Sequence, residues 1–126
     1  MVKQKRMNRC DRGRRAEQDA ARYLAGEGYR ILRTNWRWGK KELDLVAIFR
    51  GELVIVEVKS SYGNRVNDPS EVVDRIKQRR IILAAEAFIR IYHLSHPTRF
   101  DVIAVIYHSR GVEFEHLENA FIPGVE

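Results

Sequence analysis

The sequence predicts an α/β domain in which a central mixed β-sheet is flanked by helices, with elements in the order αβββαββ. Three observations predict it: an early segment of helical period, a series of three β-prone runs, and a long second helical segment followed by two more β-prone runs. Each helix has one apolar face to bury, and a sheet between the helices receives both. At 126 residues the chain is long enough for one core and short for two, so residues 13–126 read as a single domain. Residues 1–12 read as a basic leader, expected to be flexible.

The first helix runs from Arg14 to Gly28 within GRRAEQDAARYLAGEG. Ala16, Ala20, Tyr23 and Leu24 recur at three- and four-residue spacing, and a glycine suited to a C-terminal cap ends the pattern. Tyr29 to Trp36 shortens the period and predicts a first strand, closed by a turn at Gly39. Glu42 to Phe49 alternates acid and apolar residues, Arg50 to Glu52 reads as a tight hairpin, and Leu53 to Lys59 is the most β-prone run of the chain. Ser60 to Asn67 is polar and predicts a loop. Asp68 to Glu71, DPSE, has the capping acid and first-turn proline of a helix start. That helix is expected to reach about Leu94, burying Val72, Val73, Ile76, Leu83, Ala87, Phe88 and Ile91 and exposing Arg75, Lys77, Arg79 and Arg80. Pro97 prevents continuation, Phe100 to Tyr107 reads as a buried strand, and Val112 onward alternates as an edge strand.

The net charge of +6 and the high isoelectric point favour a polyanionic partner over an acidic protein surface. A single cysteine, Cys10, cannot form an intrachain disulfide, so a reducing cytoplasm is the expected compartment. The basic N-terminus lacks the apolar stretch of a secretory signal, and Glu86, Arg90 and His93 interrupt the most apolar segment, so no membrane span is expected. No small-molecule cofactor motif is evident.

Within VIVEVKSSYG a strand built for burial changes character at Glu57 and Lys59. Alternation puts both on one face, and Glu42 and Asp44 share a face of the preceding strand. If the Arg50–Glu52 turn pairs these strands, Asp44 meets Glu57 with Lys59 beside them. Two close carboxylates repel when dry, and a hard cation such as Mg²⁺ holds both ionised. Cross-strand ion pairs on a solvated face satisfy the same spacing. The interruption of an otherwise apolar run favours a site.

Asp44, twelve intervening residues, then Glu57-Val58-Lys59 resembles the D…ExK signature of the restriction-endonuclease-like nuclease superfamily. GRRAEQDAARYL, GYRILRTNW, KELDLVAI, LVIVEVKSS, RFDVIAV and ENAF together resemble the bacterial YraN-type family, similar in layout to archaeal Holliday junction resolvases, across Gly13 to Phe121. The resemblance implies a restriction-endonuclease-like core and a Mg²⁺-dependent (or Mn²⁺-dependent) site for phosphodiester hydrolysis. It implies catalytic roles for Glu17, Asp44, Glu57 and Lys59, with Asp44, Glu57 and the Val58 carbonyl as metal ligands. Lys41 stands where the family commonly has glycine, which predicts a local difference at the entry to the second strand.

Arg14, Arg15, Lys77, Arg79 and Arg80 are candidate phosphate contacts, with a solvated helix face as the alternative. Gln78 is a candidate for the edge of the site. Trp36 and Trp38 share a face by alternation and are expected to pack, with stacking on unpaired bases as the alternative. His93 and His96 read as a helix-end pair, and Asp101 as an ion-pair partner of Arg99. The reading is therefore a metal-dependent endonuclease acting on DNA, branched or flapped by analogy, with homodimerisation through the Val112 to Phe114 edge as one option. The rivals are a non-catalytic nucleic-acid-binding module and a protein-interaction module on the same fold.

Overall fold

The structure, a computed structural model, describes residues 8–63 and 74–124. Its elements are α1 (Arg9–Gly26), β1 (Arg30–Trp38), β2 (Lys41–Phe49), β3 (Glu52–Tyr62), α2 (Arg75–Ile91), β4 (Thr98–His108) and β5 (Gly111–Leu117). The five strands form one sheet in the order β1-β2-β3-β4-β5. All neighbours are antiparallel except β3 and β4, which α2 connects in parallel. This is the expected α/β architecture, consistent with a restriction-endonuclease-like core.

Local chemistry sets the boundaries. Asn8 caps α1 by accepting from the Asp11 N–H at 2.9 Å, so the helix starts at Arg9 and takes in residues 9–12 of the expected leader. Arg50 and Gly51 both have positive φ, 50° and 80°, and close the β2–β3 hairpin with Phe49 opposite Glu52. Asp74 caps the described part of α2, accepting from the Lys77 N–H at 2.8 Å. The expected start at Asp68 to Glu71, with Val72 and Val73, lies outside the described residues.

The central strand β3 is covered on both faces. On one, Leu53 and Ile55 pack with Ile81, Ala84, Ala85 and Phe88 of α2 and with Phe100 and Val102 of β4. On the other, Val54 and Val56 pack with Ala16, Ala20 and Leu24 of α1 and with Ile103 and Val105. Burial on both sides explains the unbroken apolar run. Each fully buried Leu, Ile or Val contributes about 1.5–3 kcal/mol relative to exposure.

Three expectations need correction. β3 does not end at Lys59: Ser60, Ser61 and Tyr62 continue the parallel ladder opposite Val105, Ile106 and Tyr107. Polar side chains obscured backbone pairing that β4 supplies. In α2, Ala87 and Phe88 are buried as expected, whereas Ile76, Leu83 and Ile91 are exposed and Ile81, Ala84 and Ala85 take their place. Leu83 lies two residues from Ile81, on the far side of the helix. Trp36 packs edge-on against Phe88 with centroids 5.1 Å apart, whereas Trp38 is exposed beneath the Lys41 ammonium. Among the described residues no helix is long and apolar enough to cross a membrane.

Candidate functional site

The β2–β3 ladder ends at Leu45 opposite Val56, so one step further Asp44 stands opposite Glu57. There the strands part. The Val58 N–H donates to Asp44 Oδ2 at 2.9 Å, so a side chain takes the place of a ladder acceptor. The alternation of β2 breaks at the same point, since Leu43 packs on the α2 side of the sheet and Leu45 on the α1 side. A strand residue points its N–H and C=O to the same neighbour, which directs the Val58 carbonyl towards β2 as well.

This parting opens a cleft of about 420 Å³ between β2, β3 and the start of α2, lined by Asp44, Glu57, Lys77 and Arg80 together with Lys40, Lys41, Glu42, Asp74, Ile76 and Ile81. Glu57 is only 5% exposed. Its Oε1 lies 2.6 Å from Lys77 Nζ and 3.6 Å from Lys59 Nζ. Lys77 is thus half-buried in the site and not part of an exposed basic face.

The electrostatics are strained in one direction. Burial and then the Glu57 charge push the Asp44 carboxyl up to about 8, against the opposing Val58 N–H. Burial, followed by the charges of Glu42 and Glu57, pushes Glu17 up to about 7, although Arg14 and Arg37 act against it. Glu17 of α1, Asp44 and Glu57 therefore sense one another's charge. Burial, then the bond with Lys77, lowers the pKa of Lys59. For Lys77 burial works the same way, but the bonds with Glu57 and Lys59 outweigh it and raise the pKa.

The expected residues divide by place. Glu17, Asp44, Glu57, Val58 and Lys59 come together, with Arg14 near Glu17 and Arg80 in the cleft lining. Arg79 is exposed outside that lining, and Arg15 lies over the Tyr107 ring, 4.6 Å from its centroid. Glu42 was missed as a member of the site; its signal was the shared face with Asp44, and it also pairs with Arg37 at 3.7 Å. Among the described residues no three His, Cys, Asp or Glu side chains converge as a ready metal cage. The oxygen donors at hand are two carboxylates and a directed carbonyl.

Fold and cleft together define an α/β protein whose sheet strands part to present paired acids beside two amines. The particular family follows from comparison: the model of the Uncharacterised protein family UPF0102 matches residues 16–105, and the chain belongs to that family. It is similar to UPF0102 proteins of Parabacteroides distasonis (40% identical, covering 88% of this chain and 92% of the relative) and Phocaeicola vulgatus (41%, 90% and 93%). A UPF0102 protein of Porphyromonas gingivalis is 43% identical, covering 88% of this chain and 84% of the relative.

Proposed function

We propose that the cleft is the active site of a divalent-metal-dependent nuclease that hydrolyses DNA phosphodiester bonds. The observation that carries this reading is the placement of Asp44 opposite Glu57 where β2 and β3 part, with Lys59 and Lys77 at the same carboxylate. Asp44, Glu57 and the Val58 carbonyl would hold the cation; an oxygen-only set suits Mg²⁺ or Mn²⁺. The fit rests on the carboxylate pair itself, because burial and then the Glu57 charge disfavour an ionised Asp44, and a cation shared by both acids would offset both. When bound, the cation would polarise a phosphate oxygen and make a nearby water more acidic.

The chain's own groups supply the rest. Lys59 and Lys77 stabilise the charge that gathers on the phosphate. Arg14 and Arg80 extend that positive field along the backbone of the substrate. Glu17, with a pKa near neutrality, accepts a proton from the attacking water. One P–O bond forms from water, the bond to the departing sugar oxygen breaks, and that oxygen takes a proton from solvent. Branched or flapped DNA fits a cleft at a strand end by analogy with the layout of junction-cleaving enzymes.

A second reading, a nucleic-acid-binding module that does not cleave, is favoured by the Lys77–Glu57 ion pair at 2.6 Å, which already neutralises the central acid. The deciding test is cleavage of labelled linear, flapped and four-way DNA in Mg²⁺ and in Mn²⁺, with Glu57→Ala in parallel. The expected result is metal-dependent cutting that the variant loses by on the order of 10²-fold or more. Binding by both proteins with equal salt dependence, and cutting by neither, would leave the binding module standing instead.

A further inference from the structure

On the opposite side of α1 from Glu17 lies a group of side chains that the proposed chemistry does not use. Tyr62, at the end of β3, stacks on Tyr107 of β4 with centroids 4.8 Å apart and planes 20° from parallel. Arg15 lies over Tyr107, and Arg12 lies over Tyr62 with its guanidinium 5.4 Å from the centroid. The Tyr107 hydroxyl donates to Asp19 Oδ2 at 2.6 Å, which fixes the lower ring. Tyr62 itself is 43% exposed. Beside the pair is a cavity of about 520 Å³, bounded by Arg15, Tyr62, Tyr107 and the turn between β4 and β5.

Tyr62 and Tyr107 are direct cross-strand partners, which accounts for their stacking, but not for a Tyr62 ring left 43% exposed beneath the Arg12 guanidinium. Flat aromatic surface beside guanidinium groups is what an unpaired nucleobase and its phosphate require, and every base has a face to stack. Duplex DNA keeps its base faces covered by their neighbours, so it has nothing to offer this surface. Tyr62 is three residues beyond Lys59 on the same strand, roughly 10 Å at the usual rise, with its side chain on the α1 face of the sheet and that of Lys59 on the opposite face. α1 spans both places, with Glu17 beside the acids and Arg12, Arg15 and Asp19 beside the tyrosines.

We infer that Tyr62 and Tyr107, with Arg12 and Arg15, form a stacking platform for an unpaired nucleotide of a DNA strand. This rests on the nuclease reading for the nature of the ligand and deepens it, since it makes single-stranded or flapped DNA the preferred substrate. The platform binds the base; it is not catalytic.

The test uses the full chain in chelator and a single-stranded DNA carrying 2-aminopurine, whose fluorescence falls when the base stacks, with a blunt duplex as the control. Wild type should quench the fluorescence. Tyr62→Leu should lose the quenching and about tenfold in affinity for the single strand, with duplex binding unchanged, and Tyr62→Phe should restore both. Equal single-strand affinity and quenching in wild type and Tyr62→Leu would overturn the platform, as would a wild type that does not bind the single strand. Cleavage of duplex DNA in Mg²⁺, measured on the same proteins, separates the two readings. Cutting that survives alongside a failed quenching test removes the platform alone. Lost quenching in Tyr62→Leu without any cutting by wild type keeps the platform and removes the nuclease.

Discussion

Two acids of one sheet, the buried Asp101 and the half-buried Asp44, sit beside cationic side chains and meet opposite fates. Asp101 is fully buried and each of its oxygens is engaged by two donors: Oδ1 by Arg99 Nε and the Asn119 N–H, Oδ2 by Arg99 Nη2 and His116 Nε2. Arg99 in turn donates to the Tyr29 hydroxyl at 2.7 Å and reaches Glu52 at 3.4 Å. Burial alone would raise the Asp101 carboxyl, but the bonds from His116, Arg99 and Asn119 hold it below its ordinary value. Asp44 has only the Val58 N–H against burial and the charges of Glu57 and Glu17, so its carboxyl rises. The first acid is where folding wants a charge. The second is held where folding resists one, a condition that makes sense when a ligand completes the site.

The largest expected effect breaks the satisfied cluster. Asp101→Ala leaves Arg99 buried without its main partner and should lower the unfolding free energy by about 3–5 kcal/mol. Asp44→Asn keeps an oxygen for the Val58 N–H and removes the repulsion with Glu57. In chelator it should raise stability by about 1 kcal/mol. Urea unfolding of the two variants checks both signs, and a loss of stability in Asp44→Asn similar to that in Asp101→Ala would erase the contrast.

A smaller effect lies in the pH dependence of stability in chelator. Asp101 has a depressed folded pKa, so its contribution is present above the unfolded value of about 3.8 and is lost as pH falls below it. Asp44 and Glu17 act oppositely. Their folded values of about 8 and about 7 exceed the ordinary 3.8 and 4.5, so between about pH 4 and pH 8 the folded chain retains protons that the unfolded chain has released. Stability should therefore decline with rising pH across that window. Asp44→Asn should flatten this decline, and Asp101→Asn should flatten only the acid limb. Thermal unfolding from pH 3 to pH 9 reads both.

Much of this contrast was legible in the residues, but unequally. The Arg50-Gly51 turn fixes the register, so Asp44 and Glu57 could be paired from sequence, and Arg99 two residues before Asp101 announced their ion pair. His116 and Asn119 could not be placed with them, because the antiparallel return of β5 brings them there. The same limit concealed the ion pair of Lys77, which stands among Arg75, Arg79 and Arg80 in sequence and whose partner Glu57 lies across the cleft on β3. Ile76, Leu83 and Ile91 misled the reading of α2 because the helix carries apolar residues on more than one face, and only the sheet selects among them. Arg15 looked equivalent to Arg14, yet one turn direction on α1 sends it to the tyrosines instead of the acids.

The smallest expected effect asks how far the unsatisfied region extends as a surface for phosphate. Arg80 lines the cleft three residues from Lys77, close to one helical turn, whereas its neighbour Arg79 is exposed outside the lining. Net charge falls equally in Arg79→Ala and Arg80→Ala, so a diffuse attraction to DNA would weaken equally in both. A seated phosphate at the cleft distinguishes them. Arg80→Ala should reduce the slope of log affinity against log salt by about 0.9, the release of one counterion on duplex DNA, while Arg79→Ala leaves the slope near that of wild type. Titration of a labelled duplex at several salt concentrations in chelator measures this, and equal slopes for the two variants would mean that the field of the cleft, and not contact within it, attracts the strand.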